Sequence, residues 1–122
     1  MIAADTSSLR RFLSGATGHD VDTMADAVAH RSLVLPPVVL TEILSDRSAD
    51  QTASVLTAIP LLEITEGYWG RAGLLRARVI AAGHKSKVAA ALIAQSCLDH
   101  DVALVTNDRN FRHYERYGLV LL

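Results

Sequence analysis

Two aspartates follow short apolar runs that favour buried β-strands, and they indicate the chemistry of the chain. Asp5 comes directly after residues 2–4, and Asp108 comes shortly after residues 102–105. Because long connections between parallel strands keep the strands pointing one way, we expect both carboxylates at one edge of the sheet. Each aspartate also has a local use, since Asp5 could cap a helix and Asp108 could form an Asx turn. Their coincidence at two strand ends favours a functional site.

Glu42 is the third acidic candidate, inside the otherwise apolar segment VVLTEIL. The alternative is that Glu42 and Asp46, one turn apart, form the solvated stripe of an amphipathic helix, and the helix alone leaves both interpretations open. Three carboxylates without a Cys or His cluster suit a hard cation such as Mg²⁺ or Mn²⁺. Such a cation lowers the pKa of a bound water and stabilises the charge that develops in phosphodiester cleavage.

Several other classes of site and protein are disfavoured by the sequence. The five histidines show no HExxH spacing, and the single Cys97 cannot build a multi-cysteine site, so zinc is not expected. The chain has neither a Gly-rich phosphate loop nor a GxSxG motif. Without an apolar run of about 18 residues or a basic leader, we expect no membrane span and a cytoplasmic protein with a reduced thiol.

The elements that must position these residues alternate between strands and helices. Apolar runs predict strands at residues 2–4, 33–35, 61–64, 102–105 and 119–121. Apolar periodicity with proline and glycine boundaries predicts helices at residues 9–13, 21–31, 38–45, 49–58, 68–82, 87–100 and 111–116. This order predicts one α/β domain over residues 1–122, a three-layer α/β/α sandwich with a short, mainly parallel central sheet.

Three motifs, IAADTSS at the start, LTEIL inside and ALVTNDRNF near the end, resemble those of PIN-domain ribonucleases, in particular VapC-type toxins of bacterial toxin–antitoxin pairs. The resemblance covers essentially the whole chain. It implies an α/β/α fold, Mg²⁺- or Mn²⁺-dependent endonucleolytic cleavage of RNA, a homodimer, and a VapB-type antitoxin that blocks the active site. It also implies that Asp5, Glu42 and Asp108 are metal ligands, with hydroxyl support from Thr6 and Thr106.

The chain departs from the family's pattern at two positions. Asn110 stands where many relatives carry another aspartate, and we retain it as a supporting residue. In the helix at residues 87–100 the family usually reads ADALIA, with the aspartate as a central ligand, whereas this chain has Ala90 there. Ala90 is either an ordinary helix former or the place of a lost carboxylate, natural or introduced. In the second case we expect impaired catalysis.

The geometry of that helix makes position 90 reasonable for a site. At about 100° per residue, Ala90 lies between a stripe expected to face outward and a stripe expected to face inward, on a flank that could border a cleft. The outward stripe is Lys87, Ala91, Gln95 and Asp99, and the inward stripe is Ala89, Ile93 and Cys97.

The charges are unevenly distributed along the chain. The net charge is −1, but residues 67–98 carry +5 and the remainder carries −6. Such segregation is usually a set of solvated helix faces, but beside a nuclease site it predicts an RNA-binding track. The predicted RNA contacts are Arg71, Arg76, Arg78, Lys85, Lys87, Arg109 and Arg112, followed in the chain by Arg116. Tyr68 and Trp69 could stack on a splayed base, although a lone tryptophan such as Trp69 more often serves core or dimer packing.

The sequence therefore predicts a metal-dependent endoribonuclease toxin of a VapBC-type pair, with activity impaired by Ala90. The alternative is a catalytically inactive PIN-domain module that binds RNA or an antitoxin without cleavage. A receiver-like phospho-acceptor domain also gathers aspartates at strand ends, but this chain lacks the consecutive acidic pair near the N-terminus.

Overall fold

A three-stranded parallel sheet lies at the centre of the computed structural model, which describes residues 1–46 and 49–122, with side chains at 1–46 and 53–122. The strands are β1 (Ile2–Ala4), β2 (Leu33–Val34) and β3 (Ala103–Val105), in the order β2-β1-β3. Ile2 lies opposite both Leu33 and Ala103. Since β1 is the middle strand, the residue that follows it emerges at the centre of the sheet's carboxyl-terminal edge.

Two predicted strands, at residues 61–64 and 119–121, are wrong. Each segment forms only an isolated bridge to the sheet, between Leu61 and Leu35 and between Leu121 and Leu104. The reason is that these short apolar runs bury only some of their side chains at the sheet edges. Leu62 is buried, for example, whereas Leu61 is 43% exposed. The first segment also directly follows Pro60, which has no N–H to donate to a neighbouring strand.

The predicted helices are present, with boundaries that shift by up to three residues. They are α1 (Thr6–Leu13), α2 (His19–Ala29), α3 (Pro37–Leu44), α4 (Ala49–Leu56), α5 (Tyr68–Ala81), α6 (Val88–His100) and a 3₁₀ helix (Arg109–Tyr117). The α1 helix starts earlier than predicted because the Asp5 side chain caps it, and Pro37 occupies the first position of α3. The α/β class and the parallel sheet are confirmed.

The core lies between the sheet and the helices, and it corrects one prediction about α6. Ile93 and Cys97 are buried as expected, but Ala91 and Gln95, predicted to face outward, are buried as well. The cause is α5, which packs along that side of α6; the Tyr68 hydroxyl donates to the Leu92 carbonyl over 2.7 Å. A helix in contact with both a sheet and another helix has two buried faces, which a single inward stripe does not anticipate.

The helices in the described part of the chain are short or polar. None of them combines the length and apolar character that crossing a bilayer requires.

Candidate functional site

Asp5 is the centre of the candidate site, at the end of the middle strand, and is 2% exposed. One carboxylate oxygen, Oδ1, accepts from the Ser8 backbone N–H at 2.9 Å, which caps α1 as the local interpretation predicts. Thr106 Oγ1 donates to the other oxygen, Oδ2, at 2.6 Å. Ser7 Oγ lies 2.9 and 2.8 Å from the two oxygens. The same side chain therefore caps a helix and joins β1 to the end of β3.

Burial and hydrogen bonding have opposite effects on the pKa of the Asp5 carboxyl. Burial raises the pKa of the Asp5 carboxyl above its ordinary value, and the nearby negative charge of Asp108 raises it further. The hydrogen bonds from Thr106, Ser8 and Ser7 act in the opposite direction but do not outweigh burial. A positive charge at this position would relieve both the desolvation and the like-charge repulsion.

Asp108 lies beside Asp5 through their common neighbour Thr106. The Asp108 backbone N–H donates to Thr106 Oγ1 at 2.9 Å, and the same hydroxyl donates to Asp5. The Asp108 side chain caps the 3₁₀ helix by accepting from the Asn110 backbone N–H at 2.9 Å, so its predicted turn role is also present. Asn110 contributes this amide, and its side chain is exposed. The structure thus brings both aspartates to one edge of the sheet, which we call the site edge.

Glu42 approaches the site edge from α3. Thr6 Oγ1, in the residue after Asp5, donates to Glu42 Oε1 at 2.6 Å. Asp46 turns instead to Arg10, with 3.0 Å between Asp46 Oδ2 and Arg10 Nε. Glu42 in α3 and Asp46 just after that helix therefore do not form one solvated stripe, because each is engaged by a different residue of α1.

Position 90 lies in the first turn of α6, where Ala90 is half-buried against the core. All side-chain donors around Asp5 and Asp108 are oxygens, which fits Mg²⁺ or Mn²⁺ in kind. In number the donors fall short, since within residues 1–46 and 53–122 no three His, Cys, Asp or Glu side chains form a group that could hold a metal ion. Among the described residues, the acidic side chains at the site edge are the two aspartates, with Glu42 held by Thr6.

Ser7 is a site residue that the sequence prediction missed. Its hydroxyl bridges both oxygens of Asp5 and accepts from the Asn107 backbone N–H at 3.2 Å. The sequence pattern that could have indicated Ser7 is a serine two residues after a strand-end aspartate, since such pairs often form a local side-chain turn. The contact with Asn107, one hundred residues away, carries no local signal.

The predicted RNA-binding residues do not all lie at one end of α6, which spans about 20 Å. Arg71 lies beside the last turn, where its Nη2 is 2.7 Å from Asp99 Oδ2. Burial alone would raise the pKa of the Asp99 carboxyl, but hydrogen bonds from Arg71, Gln95 and Thr65 bring it below its ordinary value. Arg71 is therefore committed to a structural ion pair away from the first turn of α6.

The remaining basic residues have different surroundings. Arg78 lines a surface cavity of about 440 Å³ with Arg71, Asp99 and Tyr117, and Arg76 Nε donates to the Ser86 carbonyl at 2.8 Å. Four basic residues are exposed in the segments adjoining the first turn of α6 and Asp108, namely Lys85, Lys87, Arg109 and Arg112. These four are the part of the predicted track closest to the site in the chain.

The two aromatic residues at the start of α5 differ in exposure. Tyr68 is buried and its hydroxyl donates to the Leu92 carbonyl, so the idea that it stacks on a base is wrong. Trp69 is 64% exposed and packs edge-on against Tyr68. Cys97 is the buried thiol that the sequence predicts, and burial, with the negative charge of Asp5, raises its pKa to about 12. It is not a nucleophile at neutral pH.

Comparison with known proteins matches the chain to one family model. The family model of the PIN domain matches residues 2–117. Among solved structures, the crystal structure of VapBC2 from Rickettsia felis bound to a DNA fragment from their promoter matches with a TM-score of 0.74 and 18% sequence identity, over 100% of this chain and 98% of that chain. At this identity the likeness concerns the fold. None of the curated proteins matches at a significant level.

Proposed function

The chain belongs to the PIN-domain family, whose members are generally nucleases, and from this premise we propose that it is the RNA-cleaving toxin of a VapBC-type toxin–antitoxin pair. The observation that carries the proposal is the pair of aspartates joined by Thr106 at the site edge. A buried carboxylate beside a second one is costly unless a cation accompanies it. That arrangement suits binding of a divalent ion better than it suits stability alone.

In the proposed enzyme, different residues of this chain would bind the metal ion, orient the carboxylates and contact the RNA. Asp5 and Asp108 would hold Mg²⁺ or Mn²⁺, and Ser7, the Ser8 amide and Thr106 fix the orientation of the Asp5 carboxylate. The bound ion would supply stabilisation of the phosphodiester's developing charge and a water of lowered pKa. Thr6 ties the Glu42 carboxylate to the residue that follows Asp5. Lys85, Lys87, Arg109 and Arg112 would contact RNA phosphates.

We further propose that a protein antitoxin covers an apolar face of this chain. The matched structure is of a toxin–antitoxin pair, VapBC2, on promoter DNA. On this chain, a surface cavity of about 520 Å³ is lined by Val28, Leu33, Val55 and Ile59, among others. Apolar surface of this kind suits an amphipathic segment of a partner. We also propose that the chain forms a homodimer, as the family resemblance implies.

The second candidate function, a module that binds RNA or an antitoxin without cutting, is favoured by one specific observation. The first turn of α6 contains no acidic residue, and the described side chains form no three-ligand group. A site with fewer carboxylates binds a divalent ion more weakly, because each carboxylate contributes charge and a ligand.

The variant Ala90→Asp separates the two functions. We expect it to cleave total cellular RNA in the presence of Mn²⁺ or Mg²⁺, and to be toxic on expression without an antitoxin, while the parent protein cuts poorly. The matched control is Ala89→Asp, which adds the same charge to the same half-buried turn but is rotated by about 100° around the helix.

The outcomes of this experiment are distinct. Cleavage by Ala90→Asp that EDTA abolishes, together with an inert Ala89→Asp, supports the nuclease. If the Ala90→Asp protein is folded and stays inert with metal present, the nuclease proposal is wrong. Retained RNA or antitoxin binding by that inert protein would then favour the binding module.

A further inference from the structure

Two histidine rings are stacked between the loop before α6 and the 3₁₀ helix. The ring centroids of His84 and His113, which we call the histidine pair, lie 3.7 Å apart, with 12° between the ring planes. Both residues are partly buried, so solvent reaches them. Among the described residues, the histidine rings that hydrogen-bond to the protein are those of His30 and His100. The ring nitrogens of the histidine pair therefore have no protein partner there.

The histidine pair is held in place by the hydrogen bonds of a neighbouring residue, Ser86. Its Oγ hydrogen-bonds the hydroxyl of Tyr114, which is buried and directly follows His113 in the chain. Arg76 Nε, from α5, donates to the Ser86 carbonyl at 2.8 Å. The two rings thus belong to segments that are bonded to each other. A ligand would meet a preorganised pair and would lose little free energy in ordering it.

The charges around the histidine pair are mostly positive. The ionisable residues that adjoin it in the chain or contact the loop are Lys85 and Lys87 of the loop, Arg76 of α5, and Arg112, Tyr114, Glu115 and Arg116 of the 3₁₀ helix. Glu115 is the acidic member of this group. Burial raises the pKa of the Tyr114 hydroxyl above its ordinary value, so that hydroxyl is neutral. Surroundings of this charge attract an anion and repel a metal cation.

An anion also fits the chemistry of the stacked rings. A protonated imidazole donates from both ring nitrogens, and histidine gains its proton close to neutral pH. Two protonated rings at this distance repel each other unless a negative group accompanies them. A phosphate group supplies that charge, and its oxygens accept charge-assisted hydrogen bonds from both rings. It is therefore the ligand chemistry that the histidine pair suits.

The histidine pair and the site edge are connected by one short element. Asp108 caps the 3₁₀ helix, and His113 follows it by about 10 Å along the axis of such a helix. A single RNA strand that crosses the site edge is long enough to reach both. We propose that His84 and His113 form a subsite that binds a backbone phosphate of RNA and takes up a proton from solvent in doing so. The inference rests on the proposed function, because RNA is the ligand in both.

The pH dependence of RNA binding tests this subsite. Binding of a labelled oligouridylate, whose bases do not titrate in this range, is measured by fluorescence anisotropy in EDTA and constant salt at about pH 6 and about pH 8. EDTA prevents metal-dependent cleavage during the measurement. We expect the parent protein to bind about fivefold more tightly at the lower pH, because uptake of one proton changes log K by up to about one unit per pH unit. The double variant His84→Gln/His113→Gln should lose this difference and keep the parent affinity at the higher pH.

Two further variants separate the charge of the histidine pair from its structural role. His84→Arg keeps a planar cation that can stack on the His113 ring. This variant should bind at the higher pH nearly as tightly as the parent does at the lower one. His30→Gln, which removes a histidine at the end of α2, is the matched control and should keep the parent's pH dependence.

NMR signals of the two rings distinguish RNA from free phosphate as the ligand. We expect the ring signals of His84 and His113 to shift on addition of oligouridylate, at lower concentrations than inorganic phosphate requires. Shifts with inorganic phosphate and none with RNA would overturn the proposal.

The binding measurements can also contradict the proposal. If the double glutamine variant loses the same affinity at both pH values, the histidine pair only supports the loop and the subsite is wrong. A pH dependence that survives the double substitution would overturn it as well. Failure of the proposed nuclease is a different result, in which Ala90→Asp does not cut RNA while the pH-dependent binding by the parent remains. Absence of RNA binding at either pH would overturn both proposals.

Discussion

At the scale of single residues, the aspartates show that a local role and a site role are compatible. Asp5 uses Oδ1 for the cap of α1 and Oδ2 for Thr106, because a carboxylate has enough acceptor positions for both. The sequence allowed prediction of Asp5 and Asp108, since strand ends and helix starts are local patterns. Only the family resemblance indicated hydroxyl support from Thr106. Local patterns could not show that Thr106 donates to Asp5, because that contact depends on which strands become neighbours.

Asp5→Asn should make the protein more stable at neutral pH. Burial raises the pKa of Asp5 in the folded state, so the cost of its ionised form is absent below the unfolded value of about 3.8 and grows as pH rises through the folded pKa. Asparagine can still cap α1 and carries no charge. Thermal unfolding between pH 4 and 8 should therefore show a raised Tm at pH 7 and a shrinking difference toward pH 4.

The matched control for this measurement is Asp99→Asn, for which the sign is reversed. The pKa of Asp99 is lowered in the fold, so its stabilisation is present above the unfolded pKa and is lost as pH falls through the folded one. This variant should have a lower Tm at pH 7, with the loss fading in acid. A less stable Asp5→Asn protein at pH 7 would mean that hydrogen bonds to the carboxylate outweigh its burial.

At the scale of elements, helices were predictable and sheet edges were not. Apolar periodicity and prolines specify helix positions locally, so α3 and α5 lie within a residue or two of their predicted ranges. Whether residues 61–64 extend a sheet depends on the burial that neighbouring elements provide. The buried Gln95 makes the same point, because α5 covers a face of α6 that the pattern of α6 alone assigns to solvent.

The end of the 3₁₀ helix depends on Gly118, which has a φ of 106°. Side chains rarely adopt this conformation, and an added Cβ would lie 3.4 Å from Leu98 Cδ2. We expect Gly118→Ala to lower the free energy of unfolding by about 1–2 kcal/mol in urea titrations. Gly70→Ala is the control, since an added Cβ in α5 meets open space, and it should stabilise by about 0.5–1 kcal/mol. Equal effects of the two substitutions would contradict this account.

At the scale of the whole molecule, the nearly neutral net charge is the sum of a basic stretch and an acidic remainder. The fold then distributes the basic residues of that stretch over different surfaces. The sequence places five basic residues in one run. The fold commits Arg71 to Asp99 beside the last turn of α6 and leaves Lys85 and Lys87 exposed before its first turn. Linear charge patterning thus predicted a basic stretch, but only the packing of α5 on α6 shows that Arg71 is paired at the last turn of α6.

This division predicts how RNA binding responds to salt. Replacement of Lys85 and Lys87 by alanine should reduce the slope of log K against log salt by about 1.4, if each lysine neutralises one phosphate of single-stranded RNA. Arg78→Ala, which removes one charge from the cavity side of α5, should leave the slope unchanged. Fluorescence anisotropy with labelled RNA between about 50 and 200 mM KCl measures both. An unchanged slope in the double lysine variant would argue against the proposed track.

The hydrogen bond from Thr106 to Asp5 joins residues 101 positions apart, and this has a consequence for the order of folding events. Pairing α5 with α6 closes only a short loop, whereas docking β3 beside β1 closes nearly the whole chain and is entropically far more demanding. We expect the helical hairpin to form early and the strand pairing late. The acidic group that would bind a cation therefore forms late in folding, when β3 pairs with β1.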